Sequence, residues 1–390
     1  MQCRTNLSIL APCLCATQYK YNNASKDNTL QQLPITIFFD VSTLNPEKIT
    51  GVGVYMLQLL ERLNKNPELK VIPVLKLSRF KKRGKLEQFI KSKIKLLWPW
   101  TGFNEKNALY HGPDFKLSMN AFLPRVITVH DMVVFERSYN SLQFYEMGIR
   151  SLTKALQSKL DAVIVNSEFT RSEVLKHFPE LKQKTHLTYL GCDRAYPPQV
   201  TPVISKEEKY VLFLGTLEKR KNPITVLHAF KLLCDQGHKL NLILAGTWGF
   251  GADEIKKELA HFPYPDKVIH LNYVPNNQVV NLFKNATAFV FPSLYEGFGI
   301  PVLEAMTLGC PVITSNEGVL KEITGDAALH ASPTNPKEIA TAVTTLFNSE
   351  EMRQSLIAKG RTQAAQFTWD KCAAETVKIY KSLVNKTKKD

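Results

Sequence analysis

Short β-branched runs recur along this 390-residue chain, each stopping at Asp, His, Asn or Ser, with longer stretches of helical periodicity between them. ITIFFDVS (35–42), VIPVLKL (71–77), RVITVHD (125–131) and DAVIVNS (161–167) form one series, with VYMLQLLERL (54–63) and EFTRSEVLKHF (168–178) as its helices. Strands apolar on both faces and alternating with helices are the pattern of a covered parallel sheet. Near YPPQVTPVISKEEKY (196–210) the pattern lapses into prolines and charge, as an interdomain linker does. A second series follows: YVLFLGTL (210–217), NLILAG (241–246), VIHLNYV (268–274), ATAFVFPS (286–293) and PVITS (311–315), with helices such as PITVLHAFKLLCDQG (223–237). The expected fold is α/β, two doubly wound Rossmann-like domains facing across a cleft, over residues 34–197 and 210–368 with a linker at 198–209. Ligands of such sheets bind beyond the carboxyl ends of the strands, here between the domains.

Length agrees with two domains. No apolar run approaches the roughly 20 residues of a membrane span, so an integral membrane protein is not expected. The net charge of +15 calls for an anionic partner, whether nucleotide, phosphate, anionic lipid or nucleic acid. Aromatic residues fall on strands and helix faces and do not alternate with the basic ones, so no nucleic-acid partner is expected. Cys3, Cys13, Cys15, Cys192, Cys234, Cys310 and Cys372 lack CxxC spacing and are expected to be reduced, cytosolic thiols. Residues 1–33 are polar apart from LSILAPCLCA, which is short and weakly basic for a secretory signal; a disordered extension is expected there.

The segment SLYEGFGIPVLEAMTLGCPVI (293–313) carries two carboxylates around a Gly-Phe-Gly turn. It follows a strand, Pro301 suits the first helical position, and Glu304 is then expected in the first helical turn. The amides of Phe298, Gly299 and Ile300 would lie at a helix amino terminus, where unpaired N–H groups and the dipole favour an anion. Glu296 and Glu304 beside an anion are better suited to accept hydrogen bonds from hydroxyls. An anion together with hydroxyls describes a nucleotide sugar. A glycosidase pair would have to flank the scissile bond, and two acids on one side of a cleft do not. Other features have plainer readings: Gly51 and Gly53 as a tight turn, Lys219, Arg220 and Lys221 as a solvated charge run, His130 as a hydrogen-bonded core residue. Position after a strand and before a helix favours phosphate binding for the basic run.

FPSLYEGFGIPVLEAMTLGCPVITS resembles the donor-binding motif of retaining GT-B glycosyltransferases of group 1 (family 4), and the chain is similar to bacterial mannosyltransferases of polysaccharide assembly. The resemblance implies that Glu296 contacts the hydroxyls of the sugar and Glu304 those of the ribose. GTLEKRKNPITVLHAF (215–230) looks like the phosphate-binding loop, with Arg220 and Lys221 neutralising the diphosphate. VHDMVVFERSY (129–139) matches the segment whose histidine, here His130, lies near the transferred sugar, and GVGVYMLQLL (51–60) matches the glycine loop of Gly51 and Gly53. VNSEFTRSEV (165–174) and GDAALHASPTNPKEIATAV (325–343) also agree, and FTWDKCAAETVKIY (367–380) resembles the closing helix that crosses back to the first domain, here 369–390. The implied catalytic set is His130, Glu296, Arg220 and Lys221. The implied donor-binding set adds Gly51, Gly53, Thr216, Val274, Gly297, Phe298, Gly299, Ile300 and Glu304. Thr216 stands where some relatives place an arginine, and Lys219 where a proline is common.

The implied activity is transfer of a hexose, mannose as first choice, from a nucleotide-diphosphate sugar to a hydroxyl of a glycan or lipid-linked acceptor, with retention. No DxD motif or ligand-spaced acid cluster points to a metal, and no cofactor is expected. A GT-B phosphorylase or a nucleotide-sugar epimerase is the alternative. The stretch KLSRFKKRGKLEQFIKSKIKLLWPW (76–100) holds nine Lys or Arg from Lys76 to Lys95 against the single acid Glu87. On one helix Leu86, Phe89, Ile90, Ile94 and Leu97 would share a face. That face either packs on its own domain or, with Trp98 and Trp100, docks on an anionic leaflet. A peripheral enzyme on the inner face of the plasma membrane is the expectation.

Overall fold

The structure is a computed structural model, and it describes residues 33–47, 49–97, 105–115, 123–193 and 208–386. Trp98, Trp100, Cys3, Cys13, Cys15, linker residues 198–207 and all of the amino-terminal extension except Leu33 lie outside the described residues.

Seven strands build the first sheet: β1 (Ile35–Asp40), β2 (Leu69–Lys76), β3 (Lys95–Leu97), β4 (Ala108–Gly112), β5 (Arg125–Val129), β6 (Ala162–Val165) and β7 (Thr185–Leu187). All pair in parallel, in the order β3-β2-β1-β4-β5-β6-β7. Helices α1 (Gly51–Lys65), α2 (Arg83–Ile90), α3 (Leu142–Leu156) and α4 (Glu168–His177) connect them. Strands β4, β5 and β6 are buried along their whole length, which explains the continuous runs of β5 and β6. The second sheet, also parallel, has six strands: β8 (Tyr210–Leu214), β9 (Asn241–Ala245), β10 (Val268–Leu271), β11 (Ala288–Phe291), β12 (Val312–Ser315) and β13 (Leu329–Ala331), in the order β10-β9-β8-β11-β12-β13. Its helices are α5 (Pro223–Asp235), α6 (Ala252–Ala260), α7 (Asn276–Asn285), α8 (Ile300–Thr307), α9 (Gly318–Thr324), α10 (Pro336–Asn348) and α11 (Glu350–Ala364). Strand order reverses between β1 and β4 and again between β8 and β11. Those two switch points are where a crevice opens at the strands' carboxyl ends.

The last helix, α12 (Trp369–Lys386), packs on α1 and β4 and so returns to the first sheet. Its anchor is a buried polar cluster. The Tyr380 hydroxyl bonds His111 Nδ1, whose Nε2 lies 2.9 Å from Thr128 Oγ1, and the Tyr55 hydroxyl meets the same Thr128 oxygen at 2.9 Å. The described residues from Pro34 onward belong to one compact unit.

One strand goes beyond the sequence expectations, and one expectation changes. Strand β4, ALYHG, has no β-branched signature, yet it sits at the centre of its sheet because Tyr110 bonds Asp40 and His111 bonds Tyr380 and Thr128. The basic stretch is not one amphipathic helix. A 3₁₀ turn (Leu77–Lys82) leads into α2, Lys91 ends that helix in the left-handed region at φ 51°, and β3 then pairs with β2. Leu86, Ile94 and Leu97 are buried from three different segments. Pairing of β3 onto β2 overrides the helical spacing. Phe80 and Phe89 stay outside, 54% and 39% exposed, among the cations.

Candidate functional site

The second switch point builds the site. After β8 the chain passes Gly215, at φ +149°, and after β9 it passes Gly246, at φ +152°. A Cβ on Gly246 would stand 1.9 Å from the Gly215 carbonyl, so two turns this close need glycine there. Lys219–Lys221 then form a 3₁₀ turn, and Asn222 takes the left-handed conformation at φ 61° before α5. Its side-chain amide donates to the carbonyls of Pro292 (3.2 Å) and Pro333 (2.6 Å), which binds this loop to the one leaving β11. A second tie comes from that loop, where the Leu294 N–H (2.8 Å) and the Ser293 hydroxyl (3.1 Å) both donate to the Arg220 carbonyl.

These ties gather four charged side chains. Glu296 Oε2 meets Arg220 Nη1 at 2.9 Å, and Glu296 Oε1 meets Lys221 Nζ at 3.2 Å and the Ser293 hydroxyl at 3.0 Å. Arg220 also pairs with Glu218 at 2.7 Å and donates to the Tyr295 carbonyl at 2.7 Å. Burial works against the Glu296 carboxylate, but Lys221 and Arg220 outweigh it and hold its pKa below the usual range. Asp131, from the first domain, goes the other way: burial raises its pKa, and Arg220 only moderates the rise. Lys221 Nζ further sits 4.8 Å from the centre of the Phe291 ring. A pocket of about 160 Å³, bordered by Phe169, Ser293, Tyr295, Glu296 and Glu317, opens beside the cluster.

The EGFG turn continues into α8. Gly299 stands at φ +108° before the helix, Pro301 is its second residue, and Glu304 its fifth, so Glu304 lies in the second turn and not the first. Among the described residues no acceptor is paired with the N–H of Phe298, Gly299 or Ile300, although Phe298 and Gly299 are buried. Buried amides left open in this way are an anion's partners.

First-domain residues meet this turn from the other side. A Cβ on Gly297 would come within 2.0 Å of the His130 carbonyl and 2.8 Å of Asp131 Cβ, so main chain touches main chain there. The Pro113 carbonyl can only accept, so His130 Nε2, at 2.9 Å, is the donor of that contact. The Tyr55 ring lies edge-on to His130 at 4.9 Å. Gly51 opens α1 with its Cβ direction toward Ile300, 4.0 Å away. Gly53 instead faces Ile49 and Leu44 and donates its N–H to the Thr50 cap at 3.3 Å. Thr216 packs on Gly249, Val274 packs on the second-domain core from the loop after β10, and Glu304 is buried.

The structure therefore joins Arg220, Lys221, Glu296, Gly297 and the His130 main chain, and brings Gly51 to Ile300. Sequence reasoning passed over Asp131, Ser293 and Ser167. Asp131 and Ser167 each stand two residues past the end of a strand, in VHD and VNS, and that placement was the available signal.

The family model described as "Glycosyl transferases group 1" matches residues 200–363. The O-antigen chain mannosyltransferase B of Escherichia coli is 32% identical over 374 residues, covering 86% of this chain and 97% of that protein. Among solved structures, sucrose-phosphate synthase from Thermosynechococcus elongatus superposes with a TM-score of 0.68 at 20% identity, covering 89% of this chain and 98% of that one. Anabaena HepE in complex with UDP and glucose gives 0.67 at 15% identity, covering 90% and 100%.

Proposed function

This chain belongs to the group 1 glycosyl transferases and has their GT-B fold, and from that premise we propose that it moves a mannosyl residue from GDP-mannose, with retention, to a hydroxyl of a glycan or lipid-linked acceptor in polysaccharide assembly. The observation that carries the reading is the cluster of Arg220, Lys221 and Glu296 next to the open amides of Phe298, Gly299 and Ile300. The choice of mannose rests on the similarity to the E. coli O-antigen mannosyltransferase.

In this mechanism the donor diphosphate takes over Lys221 and Arg220, and Glu296 turns its oxygens to the sugar hydroxyls while Glu304 holds the ribose. As the bond from the anomeric carbon to phosphate oxygen breaks, its electron pair stays on the diphosphate, where the two cations and the amides stabilise it. The acceptor oxygen bonds the same carbon, and its proton passes to the departing phosphate oxygen. His130 lines the sugar side. The two side-chain cations supply the charge that a divalent metal would otherwise supply, so transfer is expected to persist in a chelator. A thermal-shift screen of nucleotide sugars tests the reading. GDP-mannose at 100 times its dissociation constant is expected to add about 2.7 kcal/mol, and no shift with any nucleotide sugar would overturn it.

No described helix is long and apolar enough to cross a membrane. We propose that the enzyme docks peripherally on the anionic inner leaflet of the plasma membrane, through the exposed Phe80 and Phe89 and the cations Arg79, Lys81 and Lys82 around them.

A further inference from the structure

The segment Asn166-Ser167-Glu168-Phe169-Thr170 lies outside the donor-contacting set, yet it grips both loops of the site. The Ser167 hydroxyl donates to the Gly297 carbonyl at 3.0 Å. Thr170 Oγ1 lies 3.3 Å from that carbonyl and 3.5 Å from the carbonyl of His130, and Asn166 Nδ2 donates to the His130 carbonyl at 3.0 Å. Ser167 and Thr170 are buried at 0% and 1% exposure, so water offers these carbonyls no equal substitute. Two main-chain oxygens, one from each domain, thus share one set of side-chain donors at the start of α4.

The consequence follows from the peptide bond. It is planar and trans, so the carbonyl of one residue and the N–H of the next point in opposite directions. Fixing the Gly297 oxygen toward α4 fixes the Phe298 N–H toward the opposite side of the turn. That N–H is one of the three open amides at the amino terminus of α8. We infer that Ser167 and Thr170 are positioning residues that aim the Phe298 amide at the donor diphosphate, so that donor affinity in the second domain depends on contact with the first. The inference rests on the donor reading above.

The test separates the two. Full-length Ser167→Ala and Thr170→Val are compared with Thr170→Ser, which keeps the hydroxyl, and with Glu322→Ala. Glu322 of α9 accepts from the N–H groups of Glu168 (2.8 Å) and Phe169 (3.0 Å), so it links the same helix to the second domain without touching the Gly297 carbonyl. Hydrogen exchange over residues 296–300 is measured without ligand, and GDP affinity by calorimetry. The expected result is faster exchange of that turn and about tenfold weaker GDP binding in Ser167→Ala and Thr170→Val, with wild-type behaviour in Thr170→Ser and no change in the turn in Glu322→Ala. Unchanged exchange of the turn in Ser167→Ala, or an equal change in Glu322→Ala, would overturn the inference. A wild type that ignores GDP while the exchange pattern appears as expected would sink the donor reading and leave the positioning role standing.

Discussion

Lys221 is held at three points, by Glu296, by the Phe291 ring and against Gly215, so its ammonium is fixed before any substrate arrives. A preorganised charge of this kind costs little reorganisation when negative charge develops beside it. Lys221→Ala is expected to slow transfer by about a hundredfold or more while the melting temperature stays close to wild type, because Arg220 still neutralises Glu296; steady-state kinetics and calorimetry check both halves. Removing the carboxylate has the opposite balance. Glu296→Gln leaves two poorly exposed cations with one partner fewer and is expected to destabilise by about 3 kcal/mol, read from urea unfolding at neutral pH. The pKa of Glu296 is lower folded than its ordinary 4.5, so its contribution is present above that value and is lost as pH falls through the folded value. The gap between wild type and Glu296→Gln should therefore close only in acid.

Contacts between elements explain why some of the chain was legible from sequence and some was not. Strands β1, β5, β6, β8, β9 and β11 announce themselves because burial on both faces selects continuous apolar runs, and the EGFG turn stands out because a short glycine loop must join β11 to α8. Strand β4 was hidden because its polar residues are satisfied by partners as distant in sequence as Tyr380. The same holds for the grip of Ser167 on Gly297, which joins residues 130 positions apart. Glycines sit where elements touch, and Gly297→Ala is expected to abolish transfer, since the added methyl would meet the His130 carbonyl; comparing its activity and its melting temperature with those of wild type checks this. The β4–α12 contact predicts a pH effect. Burial first, then His130, pushes the His111 pKa down to about 3 from 6.5. Its unfolded form therefore binds the proton first, and stability falls as pH drops from 6.5 toward 3, at most by about 1.4 kcal/mol per pH unit. Urea titrations across that range should show a shallower slope in His111→Gln.

At the scale of the whole molecule, the +15 charge and the two-domain cleft point to different surfaces doing different jobs. The cations of the cleft are paired and poorly exposed, whereas Arg79, Lys81 and Lys82 belong to a turn with no buried residue, next to exposed Phe80. Each such cation near an anionic leaflet contributes about 1 kcal/mol. Co-sedimentation with anionic vesicles is expected to rise with anionic lipid and to drop when the three become glutamate or Phe80 becomes serine; equal pelleting with neutral vesicles would contradict docking at this surface. The central claim is the transfer itself, and incubating the purified protein with GDP-mannose and a mannose-terminated glycan tests it most directly. The account predicts a glycan longer by one mannose, joined in the donor's anomeric configuration, formed by wild type and hardly at all by Lys221→Ala. A donor left intact, a mannosyl group released only to water or phosphate, or a product of inverted configuration would contradict it.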